Sequence, residues 1–524
     1  MTTASENNKL HILRRHFENH GHIWFLALFW VFYSLMILDS SYVGSIEFSY
    51  DSSSYFRAAD AIRHGHGFHD DALAGGSGWF YWWPIGYPAL IAAVASVFRG
   101  VSIYLCSKIL SILVVGLLLL FFGRVFKKNA WLCALLLLNT GVVAVYRISL
   151  SETVFVPLFI LFAYLLSEVV TRPEPPLRHY VFLYLCMTGL FLLRYFGVVA
   201  TMFAGCVWLV QLVKTVRQRE NTALRKKTLL FAASGIAAAL SEGAYLLMNA
   251  RMTGFVPGVS TQGQMTKLWE LKAQVYASLQ EELTNLLSIR ESPLFDTYTI
   301  KAQRILMAAI LTALIYLLIR RKKADRSAMF ILTGLFYDFV LLVTLFLTQT
   351  DTSGSRFLFP ATTLILIGLI SVATEQTERK WLNSLQYVAG FLLLLGIFSI
   401  SYGWSHDGIE PTAYDEMQQE ITQEYRDVAP RSVILEHELS YRAPFRYFRP
   451  DVVFDGHIEA SDTVDSVLKR YEMYDHIYIS KPAIRGLLYA TDRSISDDMR
   501  THLRSLLEQA DSSGKYLLFT SPAS

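Results

Sequence analysis

Residues 103–122 read IYLCSKILSILVVGLLLLFF, an apolar run whose one charged side chain is Lys108. At ~1.5 Å per residue, a helix of this length spans the ~30 Å hydrocarbon core of a bilayer. Over the whole chain 53% of the residues are hydrophobic and 17% are charged, and the apolar residues come in long blocks. This composition indicates a polytopic membrane protein with many α-helical spans and excludes an ordinary soluble enzyme.

Ten further apolar runs bring the predicted number of spans to eleven. The first run follows basic residues and has no small-residue cleavage site after it, which predicts an uncleaved anchor. The stretches 130–170 and 179–213 are each too long for one crossing, so we expect turns at Arg147–Glu152 and Arg194–Gly197. The ten runs lie at 23–38, 130–147, 153–170, 179–193, 196–213, 228–250, 302–319, 327–348, 357–373 and 384–402.

A shorter apolar run, Pro84–Phe98, decides the orientation of the chain. Cytoplasmic loops concentrate Lys and Arg, and the basic loops share the N-terminal side of the membrane only if this run does not cross. We therefore predict an interfacial segment there, a cytoplasmic N-terminus and an extracytoplasmic C-terminus, in an inner or plasma membrane. The basic loops are Arg124/Lys127/Lys128, Arg172/Arg178, 214–227, 320–326 and Arg379/Lys380.

The composition changes after residue 402, where short apolar stretches alternate with polar, helix-like ones. The pattern predicts a small α/β domain. The expected organisation is a cytoplasmic segment 1–22, a transmembrane region 23–402 with outer loops 39–102 and 251–301, and an extracytoplasmic domain 403–524. The predicted strands are Ser432–Glu436, Asp451–Phe454, His476–Ser480 and Lys515–Thr520.

The first outer loop contains the candidate catalytic residue, Asp51. The residues after it predict an amphipathic helix that lies on the outer leaflet and ends near Gly65. On spacing alone the favoured interpretation of Asp51 is the N-cap of this helix, with its side chain accepting a backbone N–H. Capping and catalysis are compatible if a ligand reaches the carboxylate. The predicted buried face consists of Tyr55, Ala58, Ala59 and Ile62.

Two features of the same loop have alternative interpretations. Its aromatic residues 79–83 suit a membrane interface, and they would equally suit a sugar or lipid pocket. A group of His and Asp side chains offers divalent-metal ligands, but the irregular spacing favours a solvated loop. We therefore assign no metal site and no required cofactor. The group consists of His64, His66, His69, Asp70 and Asp71.

Short motifs along residues 23 to about 375 resemble those of the GT-C-fold, polyprenyl-phosphate-sugar-dependent glycosyltransferases. Protein O-mannosyltransferases and lipid A aminoarabinose transferases belong to this class. The chain departs from the commonest pattern at Asp51-Ser52, where many members carry an Asp-Glu pair. The motifs are Asp51-x-x-x-Tyr55-x-x-x-Ala59, Gly65-x-Gly67-Phe68, Pro84-x-Gly86-Tyr87-Pro88, Lys108, Ser151-Glu152, Arg194-Tyr195-x-Gly197, Asn249-x-x-x-Thr253-Gly254 and Ser355-Arg356-Phe357-x-x-Pro360.

The resemblance implies that a hexose or pentose leaves a polyprenyl-phosphate donor and joins a lipid, glycan or protein acceptor on the outer face, with inversion. Asp51 would act as the general base, and cationic side chains would hold the lipid phosphate. Taken singly, each cation is more simply an interfacial anchor at a span end. The candidate substrate-binding residues are Glu47, Tyr55, Lys108, Arg147, Glu152, Arg194, Tyr195, Asn249, Arg251 and Arg356.

The competing class is a polytopic transporter or lipid flippase. Such proteins usually consist of two related halves with broken spans near the midplane, and the sequence has no such repeat. A noncatalytic anchor for the C-terminal domain ranks last, because it would not need eleven spans. Nucleic acid is not expected as a partner, since a formal net charge of +3 is small for 524 residues. The expected partners are membrane lipids, a lipid-linked sugar and an acceptor that the sequence does not identify.

Overall fold

In a computed structural model, the described residues of the chain form mainly helices and one small β-sheet. Glu47 and nearly all of the predicted span 302–319 lie outside the residues that the structure describes. The described residues are 2–40, 49–69, 79–218, 220–254, 268–287, 309, 312, 325–347, 355–375, 380–406, 412–435, 442–449, 451–454, 458, 461–489, 495–509 and 514–520.

We number the α-helices of the described ranges in chain order. They are α1 Thr2–Asp39, α2 Tyr50–Arg63, α3 Gly86–Val97, α4 Ile103–Phe126, α5 Ala130–Leu135, α6 Thr140–Arg147, α7 Glu152–Thr171, α8 Leu177–Leu193, α9 Val198–Arg217, α10 Thr222–Thr253, α11 Leu268–Leu287, α12 Arg326–Leu347, α13 Ser355–Glu375, α14 Lys380–His406, α15 Thr412–Glu424, α16 Arg442–Phe448, α17 Val464–Arg470, α18 Lys481–Tyr489 and α19 Asp497–Gln509. Short 3-10 helices occupy Lys127–Asn129, Leu136–Leu138 and Tyr195–Gly197.

Eight helices within the described ranges are long and apolar enough to cross a membrane. Together with the shorter apolar helix Leu177–Leu193, they confirm nine of the predicted runs as helices. The eight are Gly21–Asp39, Ile103–Leu138, Glu152–Thr171, Tyr195–Arg217, Thr222–Thr253, Arg326–Thr344, Arg356–Thr374 and Ser384–His406. The segment Ile103–Leu138 is not straight, because Lys127 has a left-handed φ of 51° that turns the chain between α4 and α5.

The prediction of one continuous span at 130–147 is wrong. The chain breaks at Asn139, whose ψ of 134° lies outside the helical region and whose side chain accepts from the Gly141 amide at 3.0 Å. This amide side chain competes with the helix for backbone hydrogen bonds, which hydropathy does not record. The segment therefore forms α5, a 3-10 helix and α6.

Both predicted turns are confirmed. α6 ends at Arg147 and α7 begins at Glu152, with Ser149 in a left-handed conformation between them. Arg194 separates α8 from the 3-10 helix Tyr195–Gly197, after which α9 starts. The shorter run Pro84–Phe98 forms α3, whose twelve residues reach about 18 Å at ~1.5 Å per residue, too little to cross a bilayer. The orientation of the termini stays a prediction.

The chain divides into two compact units. The first contains residues 1–39, 81–87 and 107–407, and the second contains 40–80, 88–106 and 408–524. Most of the described residues of the first predicted outer loop therefore group with the C-terminal residues. The predicted domain boundary at 402/403 stays a prediction.

Helix α2 differs from the amphipathic surface helix that the sequence predicts. Its residues 52–59 are buried without a break, including three serines and Arg57 as well as Tyr55, Ala58 and Ala59. The reason is tertiary packing on more than one side: the Phe56 ring contacts Tyr104 at 5.9 Å and Tyr447, on α16, at 5.5 Å. Gly65 follows the helix with a φ of +81°, as expected for its end.

The C-terminal residues form the predicted α/β arrangement, with four strands in the order β2-β1-β3-β4. Strand β1 pairs in parallel with β2 and β3, and β4 pairs antiparallel with β3. Val433 and Ile479 are among the buried side chains that α17, α18 and α19 cover. The strands are β1 Ser432–Leu435, β2 Val452–Phe454, β3 His476–Ser480 and β4 Tyr516–Leu518, which confirms all four predicted strands.

Gly197 permits the close approach of the turn before α9 to α8, and this generates a prediction. A Cβ at this position would overlap the backbone of Leu190, whereas one at Gly205 in α9 would meet nothing within 4 Å. Gly197→Ala should therefore destabilise the full chain by about 1–3 kcal/mol, the usual cost of overpacking. Gly205→Ala should be neutral or slightly stabilising. Thermal unfolding in detergent measures both, and equal unfolding temperatures would contradict the prediction.

Candidate active site

Glu152 is the first residue of α7 and is completely buried. The N-terminus of a helix favours a carboxylate, because its unpaired N–H groups and its dipole present positive charge. The Ser151 hydroxyl donates to Oε2 of Glu152 at 3.2 Å. A buried carboxylate needs further cationic or hydrogen-bonding partners to offset its lost hydration.

Two arginines from other helix ends supply those partners. Arg194, in an extended conformation directly after α8, pairs with Oε1 of Glu152 through its guanidinium. Arg356, the second residue of α13, pairs with the same oxygen. We call these three residues the Glu152 cluster. The summed formal charge of these three residues is +1.

An aromatic ring lies beneath both guanidinium groups. The ring centroid of Phe357 is 5.2 Å from Cζ of Arg194 and 5.6 Å from Cζ of Arg356. Cation–π attraction favours this placement of both guanidinium groups over the ring. The side chains of Arg194 and Arg356 keep 14% and 28% of their surface exposed, whereas Glu152 keeps none. The arginines thus form the accessible part of the cluster, and the carboxylate lies behind them.

The turn that precedes Glu152 is held by α4. The fully buried Lys108 donates from Nζ to the backbone carbonyl of Arg147, at the C-terminal end of α6, where a cation is favourable. One residue earlier, the Ser107 hydroxyl donates to the hydroxyl of Ser149 at 2.9 Å. Lys108 therefore contacts the end of α6, five residues before Glu152 in the chain.

Tyr195 and Asn249 belong to an adjoining hydrogen-bond network. The Tyr195 hydroxyl donates to the carbonyl of Tyr81 at 2.8 Å and accepts from Nδ2 of the buried Asn249 at 3.3 Å. The backbone N–H of Ile85 donates to the Tyr245 hydroxyl at 3.1 Å. These bonds attach residues 81–87 to α10 and to the turn after α8. Part of the aromatic stretch 79–83 is therefore tied to the long helices.

The structure gathers most of the predicted binding residues but not all of them. Lys108, Arg147, Glu152, Arg194, Tyr195, Asn249 and Arg356 all belong to the first compact unit and lie in the contacts given above. Arg251 is exposed in the last turn of α10. Asp51 and Tyr55 belong to the second unit, and Glu47 lies outside the described residues.

The interpretation of Asp51 as a helix N-cap is wrong. Ser49 caps α2: its hydroxyl accepts from the Ser52 amide at 3.0 Å, and the Ser52 side chain completes the reciprocal capping box. Asp51 is the second residue of α2, two positions after the cap, where its carboxylate still suits the helix dipole. Capping thus does not explain this carboxylate.

The sequence did not identify three residues that contribute contacts or backbone geometry to this site. Ser151 and Phe357 directly adjoin predicted site residues, so the motifs that contain them were the available signal. No sequence pattern identified Ser149. Its backbone has a left-handed φ of 56°, a strained conformation that the amino-acid type does not reveal. Functional turns often contain such conformations.

A metal centre is not formed by the part of the chain that the structure describes. No three His, Cys, Asp or Glu side chains among those residues are arranged to hold an ion. His64 and His66 are exposed to solvent, in line with the solvated-loop interpretation. Asp70 and Asp71 lie outside the described residues.

Comparison with solved structures identifies the fold. The chain matches the crystal structure of the aminoarabinose transferase ArnT from Cupriavidus metallidurans bound to undecaprenyl phosphate, with a TM-score of 0.50 and 13% identity over 95% of this chain and 98% of that one. The apo structure of ArnT gives 0.50 and 12% over the same shares. The chain therefore has the GT-C fold and is a multi-pass helical membrane protein, as predicted.

A second solved structure is more distant. The oligosaccharyltransferase AglB from Archaeoglobus fulgidus, in complex with an inhibitory peptide and a dolichol-phosphate, matches with a TM-score of 0.46 and 11% identity over 90% of this chain and 70% of that one. No family model and no curated protein sequence matches the chain.

The Glu152 cluster generates a stability prediction. Glu152→Gln removes the anion between two partly buried guanidiniums, and breaking such a pair costs about 3–5 kcal/mol. Glu174→Gln, at an exposed position after α7, changes the same functional group without such partners and should be neutral. The measurement is thermal unfolding of both purified variants. A Glu152→Gln protein as stable as Glu174→Gln would contradict the pairing.

Proposed function

We propose that the chain is a membrane glycosyltransferase that moves a sugar from a polyprenyl-phosphate donor to an acceptor on the extracytoplasmic face. The observation that carries the proposal is the convergence of Arg194 and Arg356 on the buried Glu152. Support also comes from the shared fold with ArnT, whose crystal structure is described with undecaprenyl phosphate bound. The extracytoplasmic location follows from the distribution of basic loops in the sequence.

The two arginines are suited to a lipid phosphate. A guanidinium presents several N–H groups in a planar fork that matches phosphate oxygens. Both guanidiniums are held against Glu152 and over Phe357 before any ligand arrives, so little side-chain entropy is lost on binding. Glu152 is therefore assigned a positioning role rather than a contact with the reacting atoms.

The reaction makes the phosphate more negative. The acceptor oxygen forms a bond to the anomeric carbon, and the bond from that carbon to the phosphate oxygen breaks with its electron pair. A phosphodiester with one charge becomes a phosphomonoester with up to two. Arg194 and Arg356 thus interact more strongly with the transition state than with the donor, which is the condition for catalysis. Attack on the face opposite the phosphate gives inversion.

Asp51 is the proposed general base, which takes the proton from the acceptor hydroxyl as the new bond forms. Its place in the first turn of α2 is not explained by capping, since Ser49 has that role. Tyr55 is proposed to bind substrate on the same helix. Lys108, Arg147, Tyr195 and Asn249 complete the proposed binding set, whereas the exposed Arg251 is better explained as an anchor.

Substitution of Asp51 tests the catalytic part of the proposal. Membrane vesicles containing the full chain are supplied with a panel of radiolabelled polyprenyl-phosphate hexoses and pentoses, and transfer of label is measured. Asp51→Asn should lower transfer by about 10²–10⁴-fold, the usual contribution of a general base. Asp60→Asn, on the same helix and also partly exposed, is the matched control and should keep activity. Undiminished transfer by folded Asp51→Asn protein would exclude Asp51 as the base.

A further inference from the structure

A groove of about 730 Å³ opens between the C-terminal part of α4, the second half of α7 and the first residue of α12. Its walls combine apolar side chains with three cations, and no acidic side chain of the described part of the chain lines it. The residues that matter for its chemistry are Leu117, Leu120, Leu161, Arg124, Lys127 and Arg326. We call this cavity the basic groove.

The basic groove is separate from the Glu152 cluster. Glu152 begins α7, whereas Tyr164, which lines the groove, lies twelve residues further along the same helix. At ~1.5 Å per residue this spacing is about 18 Å along the helix axis. The basic loop 124–128 at the groove belongs to the set that the sequence places on the cytoplasmic side. The groove therefore has no part in the proposed transfer reaction.

One cation of the groove is oriented in advance. Arg326 donates to Oε1 of Glu168 at 2.8 Å, and its Cζ lies 5.0 Å from the centroid of the Tyr164 ring. These contacts hold the guanidinium at the edge of the groove. A neighbouring cavity of about 560 Å³, lined by Glu168 and Asp325, also includes Arg326. Because that cavity contains carboxylates, an anion is favoured on the side of the basic groove.

Among the residues that the structure describes, the other two cations have no acidic partner. Arg124 and Lys127 are both exposed, and within the described ranges neither side chain forms an ion pair. Lys127 also has the left-handed backbone conformation that turns the chain after α4. A lone cation at a span end is usually an interfacial anchor. Three cations that share one cavity create a local positive field. Interfacial anchoring of single side chains does not explain why they share a cavity.

The apolar wall of the basic groove indicates what kind of anion binds there. Leu117 and Leu120, on the α4 side of the groove, expose 67% and 70% of their surface. Because α4 lies in a segment apolar enough to cross a membrane, these side chains face the acyl chains of the bilayer, and the groove opens to lipid beside its cations. A lipid with an anionic headgroup would cover them with its acyl chains while its phosphate meets the cations, and basic pockets between membrane helices bind such headgroups.

We propose that the basic groove binds an acidic glycerophospholipid of the leaflet opposite the Glu152 cluster. The phosphate is held by Arg124, Lys127 and Arg326, and an acyl chain lies along Leu117, Leu120 and Leu161. Binding there joins the turn at Lys127 to α7 and α12. The proposal concerns a structural lipid site and stands independently of the proposed sugar transfer.

Photolabelling of the purified full chain tests this site. The protein is placed in lipid nanodiscs that contain a photoactivatable phosphatidylglycerol, and labelled peptides are mapped by mass spectrometry. We expect labelling of α4 and α7, reduced about tenfold to thirtyfold in the double variant Arg124→Gln/Lys127→Gln, since each basic residue contributes several-fold in affinity. Lys128→Gln is the matched control, because Lys128 is exposed and adjacent but does not line the groove.

Three further measurements separate a specific site from nonspecific contact. Leu161→Trp fills the groove without a change of charge and should also reduce labelling by phosphatidylglycerol. The proposal is overturned if photoactivatable phosphatidylcholine labels the same peptides equally well, or if the double variant labels like the parent chain. Protection by inorganic phosphate as complete as protection by unlabelled phosphatidylglycerol would likewise exclude a lipid.

Discussion

The buried carboxylate of Glu152 meets guanidiniums from two other helix ends, and the candidate site depends on this meeting. Neither arginine would be held beside the other without an anion between them, because like charges repel strongly where water is excluded. The carboxylate in turn needs the start of α7, the arginines and the Ser151 hydroxyl to offset its burial. Three helix ends are thus joined at one point.

The turns before α7 and after α8 make this meeting possible. Lys108 holds the first turn through the carbonyl of Arg147, and Gly197 allows the second to approach Leu190. The cost of the strained Ser149 conformation is offset by the surrounding contacts, including the hydroxyl of Ser107. The residues of this region therefore act as a support for the arginines as well as a link between helices.

Much of this arrangement could be predicted from the sequence, because hydropathy and helix length are local properties. The turns at Arg147–Glu152 and Arg194–Gly197 follow from runs too long for one crossing, and the four C-terminal strands follow from short apolar stretches. The pairing of Arg356 with Glu152 was not predictable, since 204 residues separate them. Only the resemblance to the glycosyltransferase motifs suggested a common site.

The wrong predictions also have physical causes, which are contacts of individual side chains. The break at Asn139 depends on a side chain that accepts a backbone hydrogen bond, and hydropathy counts that residue only as one polar position. The burial of α2 on several sides depends on Tyr447, almost four hundred residues away. That contact also places the helix of Asp51 in a unit built partly from the C-terminal residues. The C-terminal region therefore supports the helix that carries the proposed base.

The arginines of the Glu152 cluster form the proposed phosphate site, and equilibrium binding of a polyprenyl phosphate tests this site most directly. The full chain in detergent is compared with Arg356→Gln, in which Glu152 keeps Arg194, and with Arg251→Gln as an exposed control. We predict binding at least about tenfold weaker for Arg356→Gln, as expected for the loss of one charged hydrogen-bond donor, and unchanged binding for Arg251→Gln. Equal affinity of the folded Arg356→Gln protein and the parent chain would contradict the claim.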